Sequence, residues 1–283
     1  MGRREALSIA DQTLPGNPIT LHKDQLPLAL ETVRLFADGP LILLAKLCLP
    51  LADAELEALA VLCPERRTKA LRYKNKDDAA RCLLAGWLLR HGASAFFGRE
   101  EDEVTTAHDA RGKPFFPQIP ELHATIAHQG PWVGCGLHAR PLGMDVEQVA
   151  PLKNAVATGG LAEVLLCAEE HAYYRTLAAP DKAAYLIETW TLKESVLKML
   201  GVGFNLAPDA LCLQHALESA PPCAVVAATD IDSGRYRLAI CYAPPNFIEQ
   251  DPLTAPRPSV VLQHDAAASE LLRAAFAGSS VRK

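Results

Sequence analysis

The chain has 283 residues, 49% of them apolar and 22% charged, a balance that supports a buried core and excludes global disorder. Its 28 Lys and Arg against 33 Asp and Glu leave a formal charge of −5, which excludes a polycation built to coat nucleic acid. The length allows one large domain or two small ones, and no run approaches the ~18 uncharged apolar residues of a membrane span, since Leu41–Leu51 is short and carries Lys46.

Residues 1–38 hold the turn formers Pro15, Gly16, Asn17 and Pro18 without a sustained period, so an extension is expected there. Arg3 and Arg4 lead into a polar segment, unlike a signal peptide. Leu41–Leu49 reads as a strand, Asp53 as the N-cap of a helix through Ala60, and Pro64 as the opening of another. Helical spacing of Ala79, Leu83, Gly86, Trp87 and Leu89 predicts one long helix from Asn75 to Phe97, ended near Gly98. Asp109 to Pro114 is turn chemistry. Three strands follow: Ala124–His128, Trp132–His138 and Leu142–Val149, punctuated by Gly130-Pro131 and Arg140-Pro141. Helices are expected over Ala155–Thr176 and Asp181–Leu200, the second stopped by Gly201, then strands over Cys223–Ala228 and Tyr236–Tyr242. A Pro-rich tail after Pro244 ends in a weakly helical stretch, Ala266–Phe276. This order suggests an α+β protein of two halves, 39–150 and 151–245, flanked by extensions 1–38 and 246–283. The eight cysteines never form C-x-x-C and sit mostly in apolar runs, so a disulfide framework is not expected and a cytoplasmic location is.

Four patterns carry chemistry. In a strand, Asp145 and Glu147 share a face while Met144 and Val146 take the other; paired carboxylates either bind a hard cation or simply face solvent. In a helix, Trp190, Glu194 and Lys198 form one stripe, either an exposed ion pair or charges set beside a buried tryptophan. Lys113, in Gly112-Lys113-Pro114, offers a point charge for phosphate, and His128 at a strand end is either structural or an anion donor. The basic run Arg66, Arg67, Lys69, Arg72, Lys74, Lys76 and Arg81 is either a solvated face or a site for a phosphorylated ligand or acidic partner.

In this order the four patterns resemble the Sfp-type 4′-phosphopantetheinyl transferase family, from about Leu41 to Tyr242. The resemblance rests on Pro64-Glu65-Arg66 through Arg81, Gly112-Lys113-Pro114, the strand to His128 with Trp132, Gly143–Glu147, and Trp190–Lys198 with Gly201-Val202-Gly203-Phe204. It implies two α/β halves related by pseudo-two-fold symmetry with coenzyme A between them. It also implies transfer of 4′-phosphopantetheine to a serine of an apo acyl or peptidyl carrier protein, with release of 3′,5′-ADP. By the same resemblance Asp145, Glu147 and Glu194 are Mg²⁺ ligands. Arg66, Lys69 and Arg81 bind CoA, the first two near its 3′-phosphate; Lys113 and His128 touch phosphate and Lys198 the pyrophosphate. The catalytic residues are then Glu194, Lys198 and His128, with Glu194 as base for the carrier serine and Lys198 as acid or electrostatic partner of the leaving phosphate. The implied partners are CoA and an acidic carrier of fatty-acid, polyketide or nonribosomal-peptide assembly, met by a monomer; neither nucleic acid nor membrane is implied.

Two departures stand out. Ala127-His128-Gln129 replaces a Ser-His-Ser type triplet, so a hydroxyl contact to the ligand is expected to be missing, and Cys82 stands where a hydroxyl residue is frequent. The alternatives are another Mg²⁺-dependent phosphoryl-transfer enzyme on the same carboxylates and a non-catalytic carrier- or CoA-binding module. A zinc site at His128, Cys135 and His138 fits no common spacing, and Gly201-Val202-Gly203 ends a helix where a phosphate loop would open one.

Overall fold

The computed structural model describes residues 28–34, 39–149, 155–215, 224–245, 247 and 259–276. In chain order the elements are β1 (Leu28–Arg34), β2 (Leu41–Leu47), α1 (Asp53–Leu62), α2 (Arg67–Ala70), α3 (Lys76–Phe97), β3 (Ala107–His108), β4 (Pro114–Phe115), β5 (His123–Gln129), β6 (Trp132–His138) and β7 (Leu142–Gln148). There follow α4 (Ala155–Leu165), α5 (Ala168–Thr176), α6 (Ala179–Leu200), β8 (Cys212–His215), β9 (Ala224–Ile231), β10 (Tyr236–Tyr242), β11 (Ser259–His264) and α7 (Ala266–Phe276). The result is a mixed α/β fold with antiparallel sheets.

Among the described residues, one sheet has six strands in the order β1-β2-β6-β5-β4-β3, antiparallel throughout. The other has five, β7-β10-β9-β11-β8, antiparallel except where β11 runs parallel to β9 and β8. Strand β2 is apolar at nearly every position because both its faces are covered. Leu41, Leu43, Ala45 and Leu47 pack with Leu83, Leu84 and Trp87 of α3; Ile42 and Leu44 pack with Met144 and Val146 of β7 and Ile240 of β10. The second face of β7 and β10 carries α6, whose Val196, Leu197 and Met199 cluster with Ala239 and Cys241.

Sequence expectations hold for most long elements and shift at their ends. Asn75 caps α3, its side-chain oxygen accepting from the Asp77 N–H at 2.9 Å. Asp53, expected as a cap, is the first helical residue: Ala52 is the cap, and Glu55 reaches back to its N–H at 2.6 Å. The helix expected over Ala155–Thr176 is two helices, because the carboxylate of Glu170 accepts the Cys167 N–H at 2.9 Å and starts α5 afresh. Strand β7, on the N-terminal side of the boundary expected at 150, pairs with β10 of the second sheet. Both stretches read as extensions contribute elements: β1 pairs along the full length of β2, and β11 and α7 cover β9. Cys223 and residues 1–27 lie outside the described residues. Cys167 and Cys212, Cα atoms 5.6 Å apart, form a disulfide where none was expected, while Cys48, Cys63, Cys82, Cys135 and Cys241 are free. No described helix is long and apolar enough to cross a membrane.

Candidate active site between strand β7 and helix α6

The site exists because α6 lies unusually close to β7. A Cβ at Gly143 would overlap the backbone oxygen of Ser195 and the backbone nitrogen of Met199, so only glycine lets the two backbones meet. Period two along β7 sends Met144 and Val146 into the core between the sheets and Asp145 and Glu147 toward α6. The α6 stripe of Trp190, Glu194 and Lys198 then faces those carboxylates.

Their geometry is specific. Lys198 Nζ lies 2.6 Å from Asp145 Oδ1, and Asp145 is only 6% exposed. Glu147 is held by two donors: Trp190 Nε1 at 3.0 Å on Oε1 and Gln129 Nε2 at 2.6 Å on Oε2. Asp145 Oδ2 and Glu194 Oε1 are shielded from water and accept no hydrogen bond. Burial, with the Asp145 charge adding to it, raises the pKa of Glu147 above the usual range, although Gln129, Trp190 and Lys198 oppose it. Burial also raises Glu194, which Lys198 opposes and Asp145 and Glu147 reinforce. Three carboxylates, two of them with buried, unpartnered oxygens, are the chemistry that a hard divalent cation such as Mg²⁺ neutralises, although one oxygen from each of the three does not come within 4.8 Å of the others.

The basic side is built from α3 and the β5–β6 turn. Arg81 donates from Nη1 to the Gly130 carbonyl at 2.7 Å and is also paired with Asp78. His128 stands at the exposed end of β5. Desolvation by its surroundings, then Arg81 and Lys198, lower its pKa, so the ring is neutral at physiological pH. Farther along, buried Arg66 meets His108 Nε2 at 2.9 Å through Nη2 and leaves Nε without a partner. Lys69 is exposed and, with Arg72 and Tyr73, lines a surface pocket of about 260 Å³. His128 thus feels the charges of Arg81 and Lys198, the latter paired with Asp145, whereas buried Arg66 and exposed Lys69 lie beside His108.

Three further readings can be placed in the structure. Lys113, expected at phosphate, donates to the carbonyls of Lys198 at 2.7 Å, Met199 at 3.1 Å and Leu142 at 3.4 Å. It therefore secures the C-terminal end of α6, where carbonyls lack helical partners and the helix dipole favours a cation. Gln129, expected only as the loss of a hydroxyl, supplies an amide to Glu147. The zinc alternative is not assembled: Cys135 belongs to the core under α3, and His138 stands edge-on to Tyr242. Among the described residues the one trio of possible ligand atoms within 4.8 Å is Cys167, Glu170 and Cys212. There the sulfurs are joined, and Glu170 is occupied by Lys193 and the N–H groups of Cys167 and Leu213.

Sequence reasoning also missed Lys193. Its ammonium is 1% exposed and reaches Glu170 Oε2 at 2.6 Å, the Leu165 carbonyl at 2.6 Å and the Pro208 carbonyl at 2.9 Å. This network locks the rotation of α6 immediately before Glu194.

A model of the 4′-phosphopantetheinyl transferase superfamily matches residues 141–241, the stretch that carries β7 and α6. The chain is 30% identical over 213 residues to the 4′-phosphopantetheinyl transferase Sfp of Bacillus subtilis (strain 168), covering 71% of this chain and 91% of that protein. It is 28% identical over 210 residues to the transferase ffp of Bacillus subtilis, covering 71% and 91%, and 27% identical over 142 residues to the transferase gsp of Aneurinibacillus migulanus, covering 50% and 57%. The chain is an Sfp-type member of the 4′-phosphopantetheinyl transferase superfamily.

Proposed function

We propose that the protein transfers 4′-phosphopantetheine from coenzyme A to a serine hydroxyl of an apo acyl or peptidyl carrier protein, releasing 3′,5′-ADP, and that it acts as a monomer. The observation that carries the reading is the pair of buried, unpartnered oxygens on Asp145 and Glu194 beside the Lys198 ammonium. We assign Asp145, Glu147 and Glu194 to one Mg²⁺. When bound, that ion neutralises pyrophosphate charge and polarises the reacting phosphorus.

The remaining work falls to the chain. The serine oxygen forms a bond to phosphorus as the bond to the 3′,5′-ADP oxygen breaks, a displacement that needs position and charge stabilisation more than covalent help. Glu194, made more basic by burial, accepts the serine proton. Lys198 meets the negative charge developing on the leaving phosphate. Neutral His128 has one ring N–H to give a phosphate oxygen, and Arg81, Arg66 and Lys69 line the approach of CoA, the last two at its 3′-phosphate. The two halves, each with a 22-residue helix on a sheet that is wholly or largely antiparallel, are consistent with a pseudo-two-fold plan.

The test is incubation of apo carrier proteins with CoA and Mg²⁺, followed by intact mass. A gain of about 340 Da on the carrier, lost in a serine-to-alanine carrier, is expected. No gain on any apo carrier while CoA still binds would replace this reading with that of a binding module.

A further inference from the structure

We propose that the Cys167–Cys212 disulfide is a redox-operated lock on helix α6: closed, it secures the support behind Glu194, and opened by a dithiol reductant it lowers turnover. The inference rests on the role given to Glu194 above and adds a means of regulating it.

The bond joins the two backbone segments that hold Glu170. Glu170 Oε2 accepts the Cys167 N–H at 2.9 Å, and Oε1 accepts the N–H of Leu213, the residue after Cys212, at 3.1 Å. The disulfide therefore duplicates, in covalent form, the bridge that this carboxylate makes between α5 and β8. The same carboxylate takes the ammonium of Lys193, which also donates to the Pro208 carbonyl ahead of β8 and immediately precedes Glu194 on α6. Leu206 and Leu211, from the segment leading into Cys212, share a buried cluster with Val196, Leu197 and Met199 of that helix. Strand β8 lies at the edge of its sheet, with β11 as its one neighbour among the described strands.

The pair is also placed to exchange. Both cysteines are half-buried, whereas Cys63, Cys82, Cys135 and Cys241 are buried, and a disulfide within reach of solvent is the kind that thiols open. Cys167 is the N-cap of α5, where a thiolate is stabilised, so it is the better leaving sulfur. One thiolate of the reductant bonds to Cys212 Sγ as the Cys167–Cys212 bond breaks, and Cys167 takes up a proton. The second thiol of the reductant then displaces Cys212, which leaves as a thiol, and the reductant departs as its own disulfide. Two electrons and two protons have passed to the protein. Segments 45 residues apart in sequence are thereby untied, and holding α6 falls to the Glu170 and Lys193 hydrogen bonds and the leucine contacts.

The test poises the full chain at varied ratios of reduced to oxidised dithiothreitol, traps thiols with iodoacetamide and maps the Cys167 and Cys212 peptides by mass. Opening of this pair is expected to lower the melting temperature by about 5–10 °C, from the usual worth of a disulfide. Deuterium uptake over residues 206–213 should rise with it. On an apo carrier, kcat should fall about tenfold, short of the hundredfold that a 1 Å misplacement can cost. The KM for CoA should hold, because Arg81 and His128 stand on α3 and β5. CoA is itself a thiol, so thiols trapped at the end of each run record the state of the pair. Cys212→Ser should behave as the open form at every ratio, and Cys167→Ser serves if that variant does not fold. Equal melting and equal kcat for closed and open chains would overturn the inference, as would a pair that stays reduced at every ratio, or a response to dithiothreitol that survives in Cys212→Ser. Absence of transfer by both forms would instead overturn the transferase reading, and this inference with it.

Discussion

Replacing Lys193 with methionine isolates the contact that aims the catalytic helix. The methionine fills nearly the same length but removes an ammonium that is 1% exposed and donates to Glu170 and to the carbonyls of Leu165 and Pro208. Glu170, 8% exposed, keeps only the N–H groups of Cys167 and Leu213. Breaking a buried pair by removing one partner costs about 3–5 kcal/mol, since the remaining charge stays desolvated and unpaired. Against a total stability of about 5–15 kcal/mol this is a large loss. Urea unfolding at neutral pH, followed by tryptophan fluorescence, should show a lower midpoint with an unchanged slope. Turnover should fall as well, because the next residue is Glu194. Lys193→Met combined with Glu170→Gln removes the stranded charge while retaining an acceptor for the Leu213 N–H, and should recover about half of the loss. A single variant that costs under about 1 kcal/mol, the value of an exposed ion pair, would refute the reasoning.

Gly143→Ala should disrupt the α6–β7 approach, because the new methyl overlaps backbone that cannot rotate away; a lower melting temperature with turnover near zero is expected, and an unchanged melting temperature would count against it. Lys198→Ala should leave calorimetric CoA binding largely intact while lowering kcat by ~10²–10⁴, the range for a positioned acid or base. Reversing Arg66 and Lys69 to glutamate should raise the apparent KM for CoA more than for 3′-dephospho-CoA, and equal losses would remove the 3′-phosphate assignment. Alkylation of the native chain at pH 8 should label half-buried Cys48 and spare Cys63, whose thiol burial pushes up to about 12, as well as buried Cys135 and Cys241; peptide mass mapping reads the pattern.

The parts of the fold legible in the sequence are those where one local rule decides the outcome. Periodicity marks α3 and α6, turn residues separate β5, β6 and β7, and the i, i+2 rule puts Asp145 and Glu147 on one face of β7. Apart from the helix ends at Ala52 and Cys167, which local side chains shift, the misses involve partners distant in sequence. Strand β1 is hidden because its role is to pair with β2, and no local period reports on a pairing partner. Likewise a lysine in a turn carries no mark of the helix end that Lys113 meets, 85 residues away at Lys198.

Lys193 does leave a trace. It stands at helical spacing with the buried positions Leu186, Thr189, Val196 and Leu197, so the pattern of residues alone sets a charge on the core face of α6. A lysine on an apolar face demands a buried anion, and Glu170 is the answer that only tertiary packing could name. The same logic explains Gln129. By resemblance it counts as a lost hydroxyl, whereas in space its longer amide reaches from β5 to a carboxylate of β7 and partly offsets the effect of burial and of the Asp145 charge on it. Departures from a family pattern therefore carry physical content: a longer side chain at position 129 puts an amide donor on Glu147 Oε2 at 2.6 Å and so orients that carboxylate.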